Sequence, residues 1–179
     1  YKGVGKEGGA VRARKIQART KPKPLTCERA ASEPVQPIES GPPLPAARAG
    51  GFCAAVGRRL HYVGGLHPDR ETPSFDHWVL DLEDTAAGWQ TAAAPLDGLN
   101  HGHALAIGGK LYTFGGQYGH DGPVDDVRPY TDVYDPATDA WTRRSDLPAP
   151  RSHTEPGTFF ADGIVFLGGG RNGPTIYGD

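Results

Sequence analysis

The chain contains no methionine, only two cysteines, Cys27 and Cys53, and no apolar run longer than a few residues. The short runs exclude a membrane-spanning helix, which needs about 20 consecutive apolar residues. Two cysteines allow one disulfide or none. With no Cys-x-x-Cys pair and no ligand spacing around them, they read as inert thiols. A chain that starts at Tyr1 without methionine reads as trimmed or partial, so a missing leader says nothing about compartment. Gly-x-Ser-x-Gly, phosphate-loop and dinucleotide-binding glycine patterns are also missing, which removes the usual nucleophile-elbow and nucleotide enzymes. No strand interleaves basic and aromatic residues, so single-stranded nucleic acid has no stacking platform.

What is abundant is glycine, with 26 residues, and proline, with 17, in a chain of 179. This composition favours short strands and turns over long helices. The segments "CAAVGRRLHYVGGL" (53–66), "ALAIGGKLYTFGGQ" (104–117) and "TFFADGIVFLGGGR" (158–171) share one design. Each has an apolar run, a two-residue turn, a second apolar run and a glycine doublet. The doublets begin at Gly64, Gly115 and Gly168, steps of 51 and 53 residues (115 − 64 and 168 − 115). After the first two come a long polar loop, the strand-like "HWVLDL" (77–82) or "TDVYDP" (131–136), and then Trp89 or Trp141. A period near 50 residues carrying four short strands is the mark of a repeat architecture.

The turns Gly57-Arg58, Gly108-Gly109 and Asp162-Gly163 suit two-residue hairpins that need positive φ. "LHYV" (60–63), "LYTF" (111–114) and "IVFL" (164–167) are apolar at both parities, so both strand faces are expected to be covered, as in sheets stacked face to face. A glycine doublet at a strand end lets another segment or an aromatic ring approach, and Trp89 and Trp141 are the rings expected there.

Charge is uneven along the chain. Residues 1–24 hold eight Lys and Arg against Glu7 alone, a balance of +7 that leaves −9 for the rest of a chain whose net charge is −2. Residues 1–34 are expected to be a basic, extended or disordered arm, the part of the chain suited to nucleic acid or another anionic surface.

The motifs "LHYVGG…VLD…W" and "NHGHALAIGGKLYTFGG…DVYDPATDAW" resemble kelch repeats, the four-stranded blades of a β-propeller. The resemblance spans 45–170 and implies an all-β fold of kelch-type blades of four antiparallel strands in an incomplete ring. Residues 46–96 and 97–147 would be blades and 148–179 a partial blade. Residues 35–45 would be an outer strand of a neighbouring blade, the whole of 35–179 being kelch repeats. A propeller of this family has about six or seven blades, so the expected partners are the remaining blades or another protein, with carbohydrate a further candidate. "DPATDAW" and "PRSH" look like segments of bacterial secreted or periplasmic members, a pattern that intracellular relatives share.

In this topology the long connections, 66–76 and 117–130, emerge beside the lead-ins to the first strands, and polar loops on a rigid scaffold are where binding groups gather. The candidate binding face carries His67, Asp69, Arg70, Tyr118, His120, Asp121, Asp125, Asp126 and Arg128. The lead-ins place Arg48, Asn100, His101, His103, Arg151 and His153, with Glu155, toward a central channel. His101, His103, His120 and His153 with the nearby aspartates offer metal ligands, but their spacing matches no metal motif, so neither metal nor cofactor is expected.

The function this implies is a non-enzymatic binding or scaffold module that holds protein or carbohydrate through the long-loop face. A piece of a sialic acid epimerase-like or galactose oxidase-like propeller is the enzymatic alternative. For the first, Arg48 and Arg151 could grip a sugar carboxylate, although arginines tying neighbouring blades together is the plainer role. For the second, a tyrosine joined to a cysteine is required, and Cys53 stands beside Phe52 with no evident tyrosine. A structural subunit of a large assembly, its basic arm threaded into neighbours, is the third reading. No catalytic residue is singled out.

Overall fold

The computed structural model describes residues 40–120 and 126–178. The expected basic arm, with Cys27, lies outside them, as do Asp121 and Asp125. Where the sequence shows its double-run pattern, the chain forms hairpins. Strands β1 (Phe52–Val56), β2 (Arg59–Val63), β3 (His77–Asp81) and β4 (Gln90–Thr91) make an antiparallel sheet in that order. The second unit repeats it with β5 (His103–Ile107), β6 (Lys110–Phe114), β9 (Thr131–Asp135) and β10 (Ala140–Arg143). Its long connection carries the small hairpin β7 (Gln117–Tyr118) and β8 (Asp126–Val127). The third unit pairs β11 (Thr158–Ala161) with β12 (Ile164–Leu167) and adds the hairpin β13 (Arg171–Asn172) and β14 (Thr175–Ile176). Among the described residues the only helices are two short 3₁₀ turns, and none is long and apolar enough to cross a membrane.

The units stack through their first strands, β1 against β5 and β5 against β11. Phe52, Val63, Leu99, Ala104, Leu111 and Tyr134 form the shared core between the first two. Burial of this apolar surface, at about 25 cal/mol per Å², holds neighbouring sheets together.

The glycine doublets serve a different neighbour from the one the sequence suggested. A Cβ on Gly64 would lie 2.5 Å from the Leu99 carbonyl oxygen, and one on Gly115 would lie 2.3 Å from that of Arg151. Both have positive φ, 68° and 62°. Gly65 and Gly116 donate their N–H groups to those same two carbonyls, at 2.9 and 2.8 Å. The space is therefore taken by the backbone leading into the next sheet, and a ring is secondary: only the Phe52 ring approaches, beside Gly116. In the third unit the matching pair is Gly169-Gly170, one residue later than the spacing indicated, because Gly170 faces Ser152 O as Gly116 faces Asn100 O and Gly65 faces Ala49 O.

The tryptophans act at the outer edge instead. Trp89 Nε1–H donates to Pro42 O at 3.1 Å, and Trp141 Nε1–H donates to Ala93 O at 2.9 Å. Each outer strand is thus pinned to the segment that precedes its own sheet. The described part of 35–45, residues 40–45, forms no strand. Pro42, Pro43 and Pro45 lack the N–H that a ladder needs, so the segment serves as the acceptor for Trp89.

Candidate functional site

The two long connections and the three lead-ins come together on one side. Each lead-in bridges to the residue after its doublet: Ala49 to Leu66, Asn100 to Gln117 and Ser152 to Arg171. Successive lead-ins also bond to each other, with His101 N–H donating to Gly50 O at 2.9 Å and His153 N–H donating to His101 O at 2.6 Å. These bonds hold the side chains of three sequence-distant segments at fixed spacing.

One group of the expected residues converges. His101 and His153 stack with ring centroids 4.2 Å apart and planes inclined by 11°, and His120 approaches His101 at 5.1 Å. His101 Nδ1 lies 3.2 Å from Glu155 Oε1, and Arg70 Nη2, from the first long loop, lies 3.2 Å from His120 Nδ1. Ser152 Oγ and Arg171 Nε lie 3.0 and 3.3 Å from His153 Nδ1. His103 is half-buried at the start of β5, where burial holds its pKa below the ordinary histidine value.

A second group forms on the flank. Tyr118 O–H donates to Asp97, and Asp97 and Asp132 both accept from Arg143. Arg143 lies over Tyr130 at 3.7 Å, and Arg128, ion-paired with Asp126, lies over Tyr118 at 5.0 Å. Burial raises the pKa of both Tyr118 and Asp132.

The other expected residues are spent locally. Asp69 accepts from the Thr72 hydroxyl and from the backbone N–H groups of Thr72 and Glu71, which holds its carboxyl down at about 2 and shapes its own turn. His67 donates its backbone N–H to Thr72 O at 3.0 Å in the same turn. Arg48 bonds Asp76 at 2.6 Å and Ser74 at 3.1 Å, within its own unit. Arg151 Nη1–H donates to Gly169 O at 2.9 Å, and its guanidinium lies 4.1 Å from the centre of the Tyr177 ring. These contacts of the two arginines run inside single blades, while backbone hydrogen bonds join one blade to the next. Asn100 does not line a channel. It is fully buried, with Nδ2 donating to Gln117 O at 2.9 Å and Gly119 O at 3.0 Å.

Two groupings escaped sequence reasoning. Tyr62 stands across the β1–β2 ladder from Cys53, an exposed free thiol. The hairpin register, centred on Gly57-Arg58, was the signal that could have paired them. On the side away from the loops, Arg59, His61, Asp81, Gln90, Tyr134 and Asp139 help line a cavity of ≈ 330 Å³ between the first two sheets. Beside it, His77 Nδ1 lies 2.9 Å from Ala93 O and His77 Nε2 lies 2.9 Å from His61 Nδ1. Because Ala93 O can only accept, the proton of His77 sits on Nδ1, and His61 must donate its own Nδ1–H. That leaves His61 Nε2 as a buried acceptor, and burial followed by the neighbouring His77 lowers the His61 pKa to about 4.

Residues 101–148 match the Kelch motif family model. The chain is 30% identical over 119 residues to Kelch-like protein terF of Aspergillus terreus, covering 66% of this chain and 26% of that one. It is 33% identical over 113 residues to human Kelch-like protein 34, covering 62% and 17%. To the N-acetylneuraminate epimerase of Pasteurella multocida it is 30% identical over 131 residues, covering 72% and 33%. The chain therefore spans about a third or less of the length of these relatives. A solved structure, that of YjhT, superposes with a TM-score of 0.62 at 24% identity over 74% of this chain and 37% of that one. Repeats, sheet order and matches agree: residues 101–148 carry a kelch motif, and the four-stranded sheets of the chain are kelch-type propeller blades.

Proposed function

We propose that the chain is a binding module whose long-loop face holds a protein or carbohydrate partner. The observation that carries this reading is the meeting of Arg70, His101, His120, His153 and Glu155, drawn from two long connections and two lead-ins, on a framework of inter-blade backbone bonds. A rigid scaffold presenting converging polar groups loses little entropy when it binds. Tyr118, Asp126 and Arg128, with His67 and Asp69 beside them, would form the rim.

The experiment is a binding measurement with paired variants. Partners recovered by crosslinking from the source organism are re-measured as purified components against wild type, against Arg70→Ala/Tyr118→Ala, and against Arg58→Ala/Lys110→Ala on the opposite hairpin turns. Loss of affinity in the first pair alone supports the reading. Loss in the second pair alone overturns it.

The N-acetylneuraminate epimerase relatives favour a second reading, in which the chain supplies blades to a carbohydrate-active propeller. Proton NMR of N-acetylneuraminate anomers tests it with the protein as isolated from its source. Faster exchange between anomers than buffer alone supports it, and an unchanged rate counts against it.

A further inference from the structure

We propose that His101, His120 and His153 form a binding site for a late first-row divalent transition-metal ion such as Zn²⁺. Nothing in the binding reading requires this, and metal capture needs no partner.

Each of the three residues offers one ligand atom, and these atoms lie within 4.8 Å of one another, although the residues are 19 and 33 positions apart in the chain (120 − 101 and 153 − 120). Imidazole nitrogen suits zinc, copper, nickel and cobalt, whereas magnesium and calcium require oxygen. Three histidines with an open fourth position make a donor set that zinc accepts.

The backbone supplies an independent observation. His101 and His153 have φ of 53° and 58°, and the equivalent position in the first blade is Gly50, with φ of 64°. A left-handed conformation costs a residue with a side chain on the order of 1 kcal/mol, and glycine avoids that cost. Two successive blades thus carry histidine at a strained position that the first blade fills with glycine, and the two strained residues are the ones whose rings meet.

The surroundings fix the coordinating nitrogen of His101. His101 Nδ1–H donates to the Glu155 carboxylate, which leaves the lone pair on Nε2, the carboxylate–histidine arrangement that supports metal ligands. Arg171 Nε–H donates to His153 Nδ1, which puts the His153 proton on Nε2; coordination through Nε2 takes the other tautomer, with Nδ1–H donated to Ser152 Oγ, whose own hydroxyl turns to Arg171 O, 3.4 Å away. Two adjustments complete the site. A lone pair lies in its ring plane, and the nearly parallel planes of His101 and His153 do not meet at a point, so one ring must turn about its Cβ–Cγ bond. Arg70 and Arg171, which face Nδ1 of His120 and His153, must also release those nitrogens. The arginines therefore oppose the metal, which gives the proposal its sharpest test.

Full-length protein dialysed against chelator is titrated with Zn²⁺ by calorimetry and with Co²⁺ by visible absorption. One ion per chain is expected, with cobalt bands of tetrahedral type. His153→Gly places the residue of the first blade at the strained position, so it keeps the fold, yet it should weaken affinity at least ~10-fold, as should His120→Ala. Arg58→Ala, on the exposed hairpin turn away from the cluster, should leave affinity unchanged. Arg70→Ala should tighten metal binding by removing a repelling charge and a competing donor. Absence of saturable binding, binding unaffected by His153→Gly, or weaker binding in Arg70→Ala would each overturn the proposal.

Discussion

The second and third blades carry the same local pattern and meet different fates. β6 of the second blade, between β5 and β9, has Leu111 wholly buried and Phe114 nearly so. β12 of the third blade forms the same kind of hairpin with β11, but none of its residues is buried, and Phe159, Phe160, Ile164 and Phe166 are 43–57% exposed. Hairpin formation is thus written locally, by the turn residues and the apolar runs. Burial is conferred by the next sheet, as in any stack of repeats. The exposed aromatic face of the third blade has the composition of an inter-blade surface, and it is where a further blade or a partner would pack.

The largest expected break in this comparison comes from the doublets. In Gly115→Ala the new Cβ meets the Arg151 carbonyl at 2.3 Å with φ at 62°, whereas in Gly169→Ala the nearest atom, Tyr177 O, is 3.9 Å away with φ at 73°. The first should cost ~4 kcal/mol or more, because backbone must move. The second should cost only the left-handed strain, about 1–2 kcal/mol. Urea denaturation measures both, and equal losses would show that the backbone contact between blades two and three is not what the glycines protect.

A core substitution sharpens the same contrast. Leu111→Ala should cost about 2–5 kcal/mol by opening a cavity among Phe52, Leu99 and Tyr134. Val165→Ala on β12 removes two methyl groups from a half-exposed strand and should cost under ~1 kcal/mol. If Val165→Ala proved as damaging as Leu111→Ala, the third blade would be covered in solution.

Acid should loosen the first two blades ahead of the third. The His61 pKa is lowered from 6.5 to about 4, and that of His77 is lowered as well. The unfolded chain therefore takes up protons before the folded one as pH falls below about 6.5, and stability declines until His61 itself titrates near pH 4. His61 alone contributes up to ~3 kcal/mol of this loss. Denaturation midpoints at pH 7 and pH 4.5 should differ in wild type and converge toward each other in His61→Leu. An equal difference in both proteins would assign the acid sensitivity elsewhere.

Much of the architecture was legible because the repeat forces it. Doublets, turns and tryptophans recur at nearly constant steps, and the hairpin turns alone fix the register of β1 with β2 and of β5 with β6. The sequence could not show what stands opposite each glycine, because a backbone carbonyl leaves no residue-type signature. Only close packing distinguishes it from the tryptophan ring expected there. The extra residue that moves the third doublet to Gly169-Gly170 was hidden by the run of three glycines. At the candidate site, the long-loop rule put Arg70 and His120 on one face, and the lead-ins put His101 and His153 toward the channel beside it. It could not separate them from Asp69, Arg48 and Asn100, whose hydrogen bonds are closed within their own segments. His61 and His77 went unnoticed because histidine in an apolar strand reads as an ordinary interior residue until a cavity appears beside it.

The smallest expected effect concerns the outer edge, where the tryptophans tie each blade to the segment before it. Trp141→Phe keeps much of the packing against His77 and Tyr134 but removes the donor to Ala93 O. The loss should be about 1 kcal/mol, the ordinary net worth of one hydrogen bond. Ala93 O still accepts from His77 in that variant, so the carbonyl is not stranded. Trp89→Phe removes the equivalent bond to Pro42 O, an acceptor in a segment without strand pairing. Because that segment can turn its carbonyl to water, Trp89→Phe should cost less than Trp141→Phe, while protease cleavage near residues 40–45 should become faster. A larger stability loss in Trp89→Phe, without faster cleavage, would mean that the proline segment is held as firmly as a blade strand. Local strand pairing would then be a poor guide to where the folded unit begins.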